Sequence, residues 1–198
     1  MSTSLAHPTL LQALWPKAAG AAYTRNALLA VIGTLALTVS AKIQIPFWPV
    51  PLTLQTLVVL VLGTAFGWKL GTATLLLYLA EGAVGLPVFA GTPARGVGLA
   101  YMTGPTGGYL VGFVAGAALC GWLAERGWDR SVWRTAVAMT LGHVLILALG
   151  WVWLTQLVGP QKAYAAGVAP FYVATVVKTA LAVCALPAVW ALLKGRGR

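Results

Sequence analysis

The sequence predicts an all-α integral membrane protein of six transmembrane helices, and three observations carry that prediction. The 198 residues are 60% hydrophobic and only 8% charged, with mean hydropathy +0.86, whereas soluble domains carry about 25% charged residues. The apolar residues fall in continuous runs, as a helix crossing lipid with about 20 mostly apolar residues requires. Those runs do not alternate apolar with polar positions, which the strands of an outer-membrane barrel would do.

Residues 1–25 read as a short tail, cytoplasmic or interfacial, in which Leu10, Leu11, Leu14 and Trp15 suit an amphipathic turn or two at the membrane surface. The tail lacks the basic start and the long apolar run of a cleavable signal. The membrane domain is expected over 26–193, with spans at about 26–41, 53–66, 70–83, 108–124, 135–157 and 170–193. The stretch IQIPFWPVP after the first span holds Pro46, Pro49 and Pro51, which no continuous helix tolerates. Only GWK separates the second and third spans, both of them short, and 84–106 reads as a long loop rich in Gly and Pro. Residues 194–198 form a basic tail.

Basic residues set the orientation. With the amino terminus inside, the inner segments carry Lys17, Arg25, Lys69, Arg126, Arg130, Arg134, Lys194, Arg196 and Arg198. The outer segments carry only Lys42, Arg95 and Lys162. The positive-inside rule therefore puts both termini in the cytoplasm. The net charge of +10 then reflects topology and contact with anionic lipid headgroups rather than a nucleic-acid partner. On the outer side, all three loops are rich in Pro, Gly and aromatics. Irregular backbone near a membrane survives only inside protein or around a water-filled cavity, so these loops suggest a chamber opening outwards; simple external loops are the alternative.

The stretch GPTGGYLVGF (104–113) leads into the fourth span. Gly104, Gly108, Gly112 and Gly116 recur every four residues and make a smooth face on which a neighbouring helix can pack. The N–H groups of Gly107, Gly108 and Tyr109 at the helix start are candidate donors to an anion or a carbonyl. Gly63, Gly67 and Gly71 share the spacing but cross a loop.

Lys178 is the sharpest signal. It lies about two turns into the sixth span, where an ionisable residue is costly and marks a functional site by default. The chain's acids are Glu81, Glu125 and Asp129, and only Glu81 lies toward the outer half. Lys178 is thus suited to a ligand carboxylate, with a Glu81 ion pair or snorkelling as the alternatives. Arg95 reads as a second anion contact or a solvated loop charge, and Gln55 as a partner for a ligand amide or a helix cap. His143, with no carboxylate on its helix, reads as a packing histidine rather than a proton relay. Cys120 and Cys184 have no metal spacing, and Glu125, Arg126, Asp129, Arg130 and Arg134 form a charge cluster at the inner surface. Three acids leave little for general acid–base catalysis, and no phosphate-loop signature occurs. No enzyme, cofactor or metal site is expected.

Four motifs occur in order: PVPLTLQTL (49–57), LYLAEGAVGLPVFAG (77–91), GPTGGYLVGF (104–113) and GVAPFYVATVVKTALA (167–182). In them the chain resembles the BioY family, the biotin-specific S components of energy-coupling factor (ECF) transporters, over about residues 20–193. The resemblance implies a six-helix S-component fold that captures biotin from outside. It further implies work with a transmembrane coupling protein and two ATPases, or without them, possible as a homo-oligomer. Ala27, Ala30 and Gly33 are the nearest match to the small residues that face the coupling protein in that family. Many members read P-F-x-x-G-D-x-x-K, with the aspartate and lysine both implicated in biotin binding; here Thr175 stands at the aspartate position and only Lys178 matches. Biotin suits the expected chamber. Its carboxylate calls for Lys178 or Arg95, its bicycle for walls such as Trp48, Phe89, Tyr109 and Tyr164, and its ureido group for Gln55, Thr175 or the glycine-turn N–H groups.

Overall fold

A computed structural model of the chain describes residues 7–15, 22–46 and 48–195. Its helices are α1 (Leu10–Leu14), α2 (Ala22–Lys42), α3 (Gln55–Ala83), α4 (Gly98–Met102), α5 (Gly107–Ala124), α6 (Val132–Val158), α7 (Pro160–Gly167) and α8 (Phe171–Gly195). Five of them, α2, α3, α5, α6 and α8, are long and apolar enough to cross a membrane. The six expected spans fit these five helices, because α3 is two helices joined at Gly67 and covers the expected second and third spans. It is folded back on itself at Gly67.

The backbone of Gly67 (φ 81°, ψ 170°) leaves the helical region for one that only glycine enters readily. The Gln55 Nε2 donates to the Tyr78 hydroxyl at 2.7 Å, although a straight helix would hold those residues about 34 Å apart. A Cβ on Gly71 would lie 2.9 Å from the Gly63 Cα, so the two legs meet glycine to glycine. The weak spacing signal at Gly63, Gly67 and Gly71 is therefore the seam of a helical hairpin. Each leg is shorter than the ~30 Å hydrocarbon core.

Helix α5 is the hub, packing chiefly on α3 and α6. Of its span 67% of residues are buried, against 22% for α8. Small residues on two faces explain this position. Toward α6, a Cβ on Gly112 would stand 2.8 Å from the Ile146 Cα; toward α3, one on Gly121 would stand 2.6 Å from the Gly67 carbonyl carbon. Such close backbones replace the hydrophobic drive that lipid removes. The outer faces show large apolar side chains, among them Leu35, Val39, Val111, Val152, Val176 and Leu181, as lipid contact demands.

At the basic end of the bundle, α1 closes over the Gly67 turn. Thr9 and Gln12 form a reciprocal capping box (3.1 and 3.4 Å), and the His7 N–H donates to the Glu125 carbonyl at 2.7 Å. Leu10 and Leu11 are buried while Leu14 and Trp15 are exposed, so half of the expected interfacial turn packs on protein instead. A 3-10 turn, Trp128–Arg130, joins α5 to α6. There Trp190 Nε1 donates to Asp129 Oδ2 at 2.6 Å, the Arg130 guanidinium lies 4.2 Å from the Trp190 ring centre, and the other Asp129 oxygen is buried without a partner. Burial pushes the Asp129 carboxyl above its ordinary range. The expected basic tail begins within α8, which runs to Gly195; residues 196–198 lie outside the described set, as do 1–6 and 16–21 of the expected amino-terminal tail.

The other end is capped. The stretch expected to be irregular after the first span forms a small antiparallel ladder of β1 (Gln44–Ile45) and β2 (Leu52–Thr53), pairing Gln44 with Thr53 and Ile45 with Leu52. The long loop contains α4, and the third outer loop is mostly α7. Pro160 opens α7 at N1, where proline is favoured, and the following Gln, Lys and Ala residues suit a helix. Lys42 staples the cap to α2, its Nζ donating to the carbonyls of Phe89 (2.9 Å) and Thr92 (3.1 Å).

Candidate functional site

Between the cap and the helices lies a chamber walled by α3, α5, α6 and α8. Gln55 and Thr56 face it from the first turn of α3, Tyr109 and Phe113 from α5, and Phe171, Thr175 and Lys178 from α8. Tyr101 of α4 forms part of the roof, and His143 and Ile146 of α6 lie on the wall. The space is a narrow cleft of about 560 Å³ with its open mouth included, of which only about 40 Å³ admits the centre of a water-sized sphere. Much of it is too narrow to admit a water molecule.

Lys178 is 7% exposed, and its Nζ donates to Thr56 Oγ1 at 2.9 Å. Among the described residues no carboxylate lies within ion-pair distance of it. Glu81, the alternative partner, accepts from the Thr34 hydroxyl at 3.0 Å instead. The chamber thus holds one ammonium among neutral walls. Gln55 gives its Nε2 to the Tyr78 hydroxyl, which donates to the Val88 carbonyl at 2.9 Å, so the amide is tied into the cap. The Tyr109 hydroxyl donates to the Gly167 carbonyl at 2.7 Å, linking α5 to the end of α7 and leaving its ring on the chamber.

Of the residues predicted from sequence, Lys178, Gln55, Thr175 and Tyr109 come together here. The others are placed elsewhere. Arg95 is exposed on the cap and donates to the Pro49 carbonyl at 3.2 Å. Phe89 is buried in the cap, stacked on Tyr101 at 4.9 Å and edge-on to Tyr78 at 5.4 Å, so it holds the lid rather than lining the chamber. Trp48 is exposed outside the chamber. Tyr164 pairs with Tyr172, their hydroxyls 2.7 Å apart, on a separate groove between α6, α7 and α8.

Two of the three N–H groups expected at the glycine turn have partners within the protein. The N–H groups of Gly107 and Tyr109 already donate to the carbonyls of Gly104 and Thr106, both at 3.0 Å. Added Cβ atoms on Gly107 and Gly108 would run into Trp153, so these glycines serve the α5–α6 contact. Among the matches to the coupling face, Ala27 is exposed, but Ala30 and Gly33 are buried. A Cβ on Gly33 would lie 2.6 Å from Thr74 Cγ2, so that face is spent on α3.

Sequence reasoning missed Thr56, Tyr101, Phe113 and Phe171, none of which stands out in composition or spacing. His143 had a signal, a polar residue inside a span, but was read as packing only. Its Nδ1 does pack, 3.0 Å from the Met139 carbonyl oxygen and 3.3 Å from Thr179 Oγ1. Its ring lines the chamber, however, and its Nε2 is buried without a partner.

A capped, largely neutral chamber with one buried ammonium, set in a bundle of lipid-facing helices, defines a multi-pass membrane protein with a small-solute site. The chain belongs to the BioY family, whose model matches residues 9–195. It is 41% identical over 146 residues to a probable biotin transporter BioY of Pyrococcus horikoshii, covering 74% of this chain and 84% of that protein. It is 40% identical over 148 residues to the biotin transporter BioY of Thermotoga maritima, covering 74% and 85%. The fold is similar to the crystal structure of the S component for biotin from an ECF-type transporter, with TM-score 0.74, 22% identity, and coverage of 88% of this chain and 95% of that one.

Proposed function

We propose that this protein is the substrate-binding membrane subunit of a biotin transporter, which captures biotin from outside and delivers it across the cytoplasmic membrane. It is not an enzyme. The observation that carries the reading is Lys178, a buried ammonium that, among the described residues, is held by a threonine hydroxyl and no carboxylate, on a narrow cleft between the helices and the cap. A ligand oxygen exchanges readily for that hydroxyl, and a charged acceptor makes a bond about twice as strong. Biotin offers such an oxygen in its carboxylate, an apolar bicycle for Tyr109, Phe113 and Phe171, and a neutral ureido ring for Gln55 and Thr175. The family relationship to proteins named as biotin transporters supports the same ligand. The excess of basic residues at the end bearing Arg126, Arg130 and Arg134 supports cytoplasmic termini and a chamber mouth facing outwards. Energy coupling is proposed to come from the ECF coupling protein and two ATPases, docking at the Ala27 surface of α2.

Biotin binding to the purified protein in detergent tests the reading, with wild type beside Lys178→Ala and competition by thiamine, riboflavin and pantothenate. Saturable binding displaced by biotin alone, and weakened at least about tenfold in the variant, is expected. A folded wild type that binds no biotin overturns the proposal, and binding unchanged in Lys178→Ala removes the lysine from the site.

A further inference from the structure

Among the described residues, one fully buried side-chain polar atom on the chamber has no hydrogen-bond partner. His143 is 2% exposed, and its Nδ1 faces the Met139 carbonyl at 3.0 Å. A carbonyl oxygen only accepts, so Nδ1 carries the proton and the neutral ring presents a lone pair at Nε2. A second ring proton would set another buried cation near Lys178 with no carboxylate among the described residues to offset it. Nε2 is therefore an acceptor, and no described residue donates to it.

Four groups lining the chamber each give a proton to another protein acceptor, and none is hydrogen-bonded to Nε2. The Lys178 ammonium goes to Thr56, the Gln55 amide to Tyr78, the Tyr109 hydroxyl to Gly167, and the Tyr101 hydroxyl to Ala90 (2.9 Å). A buried acceptor without a donor is destabilising, and native proteins rarely keep one without a use. The use here lies in what fills the chamber.

We propose that His143 Nε2 accepts a hydrogen bond from a ureido N–H of the bound ligand, and so selects for a substrate that carries an N–H donor. The inference rests on the chamber being a biotin site and goes beyond it by assigning a polar contact to α6. It also supplies a neutral acceptor in a chamber that contains no carboxylate.

The test crosses one protein change with one ligand change. Affinities are measured for biotin and for its two cyclic carbamate analogues, in each of which a ring oxygen replaces one ureido N–H at nearly constant shape. Wild type is compared with His143→Phe and with His143→Gln, whose amide oxygen can still accept. Wild type is expected to favour biotin over one of the two carbamates by roughly tenfold or more, the size of one buried hydrogen bond. That preference should fall close to unity in His143→Phe and return in part in His143→Gln. If the phenylalanine variant keeps the full preference, or binds all three ligands equally more weakly, His143 is structural and the proposal fails. If wild type binds biotin but does not distinguish either carbamate, the N–H contact is refuted while the biotin reading stands. If wild type binds no biotin at all, the biotin reading falls and takes this one with it. Thermal unfolding of each variant, read without ligand, separates loss of contact from loss of fold.

Discussion

Lys178 and Asp129 are both buried charges, but at opposite ends of the bundle and with opposite consequences. Lys178 has a hydroxyl partner, and in the proposed function a ligand carboxylate takes the place of that hydroxyl. Asp129 is locked by Trp190 with one oxygen left unpaired, and burial raises its carboxyl above the usual 3.8. A raised carboxyl means that the folded state holds its proton after the unfolded chain has released its own. Stability from the protonated acid is full below about pH 3.8 and drains away as pH rises through the higher folded value. Asp129→Asn keeps an acceptor for the Trp190 N–H and removes the titration. Across that window the melting temperature of the wild type should fall relative to that of Asp129→Asn. A constant difference between the two proteins at every pH would refute the assignment.

At the scale of elements, the decisive position is Gly67. Its conformation lets α3 become two antiparallel legs, and that brings Gln55 to Tyr78 and turns the mouth of the first leg toward the cap. Gly67→Ala should cost about 1–3 kcal/mol from backbone strain; the Glu125 Oε1 that a Cβ would approach to 2.6 Å is the end of a flexible side chain and can move aside. The check is thermal unfolding in detergent; a variant as stable as wild type would show that the turn is not held by this backbone. The GWK stretch marked the break between two short spans, yet it did not show how the two legs pack against each other. Hydropathy reports only how apolar a segment is, whereas the fold-back depends on a positive φ at one residue and on glycine faces meeting across the seam. The same limit explains α7, whose Pro and Gly suggested a loop although its interior residues favour a helix.

For the whole molecule, the arrangement is polar in the sense of having two unlike ends: a basic one closed by α1 and the Trp128–Arg130 turn, and a capped one built from α4, α7 and the β1–β2 ladder. The charge asymmetry predicts which end faces the cytoplasm. In a background with Cys120 and Cys184 replaced by Ser, single Ser131→Cys and Gln161→Cys variants place an exposed thiol at the basic and capped ends respectively. A membrane-impermeant maleimide applied to intact cells should label Gln161→Cys, and Ser131→Cys only after permeabilisation. The reverse pattern would invert the topology and put the chamber mouth inside.

The sequence by itself determined the solvent of this protein and the family to which it belongs, and it singled out the lysine on which the proposed site turns. Composition is a bulk property that lipid selects directly, and a lone ammonium in an apolar span stands out without any contact being known. Only the tertiary structure decided which residues share the chamber with Lys178. The pairing of Lys178 with Thr56 rather than Glu81, the use of Phe89 to hold the lid, and the exposure of Arg95 on the cap all depend on how helices far apart in sequence meet. So does the open nitrogen of His143. A histidine's environment is set by the helices packed around it, and its own helix discloses only that it is there.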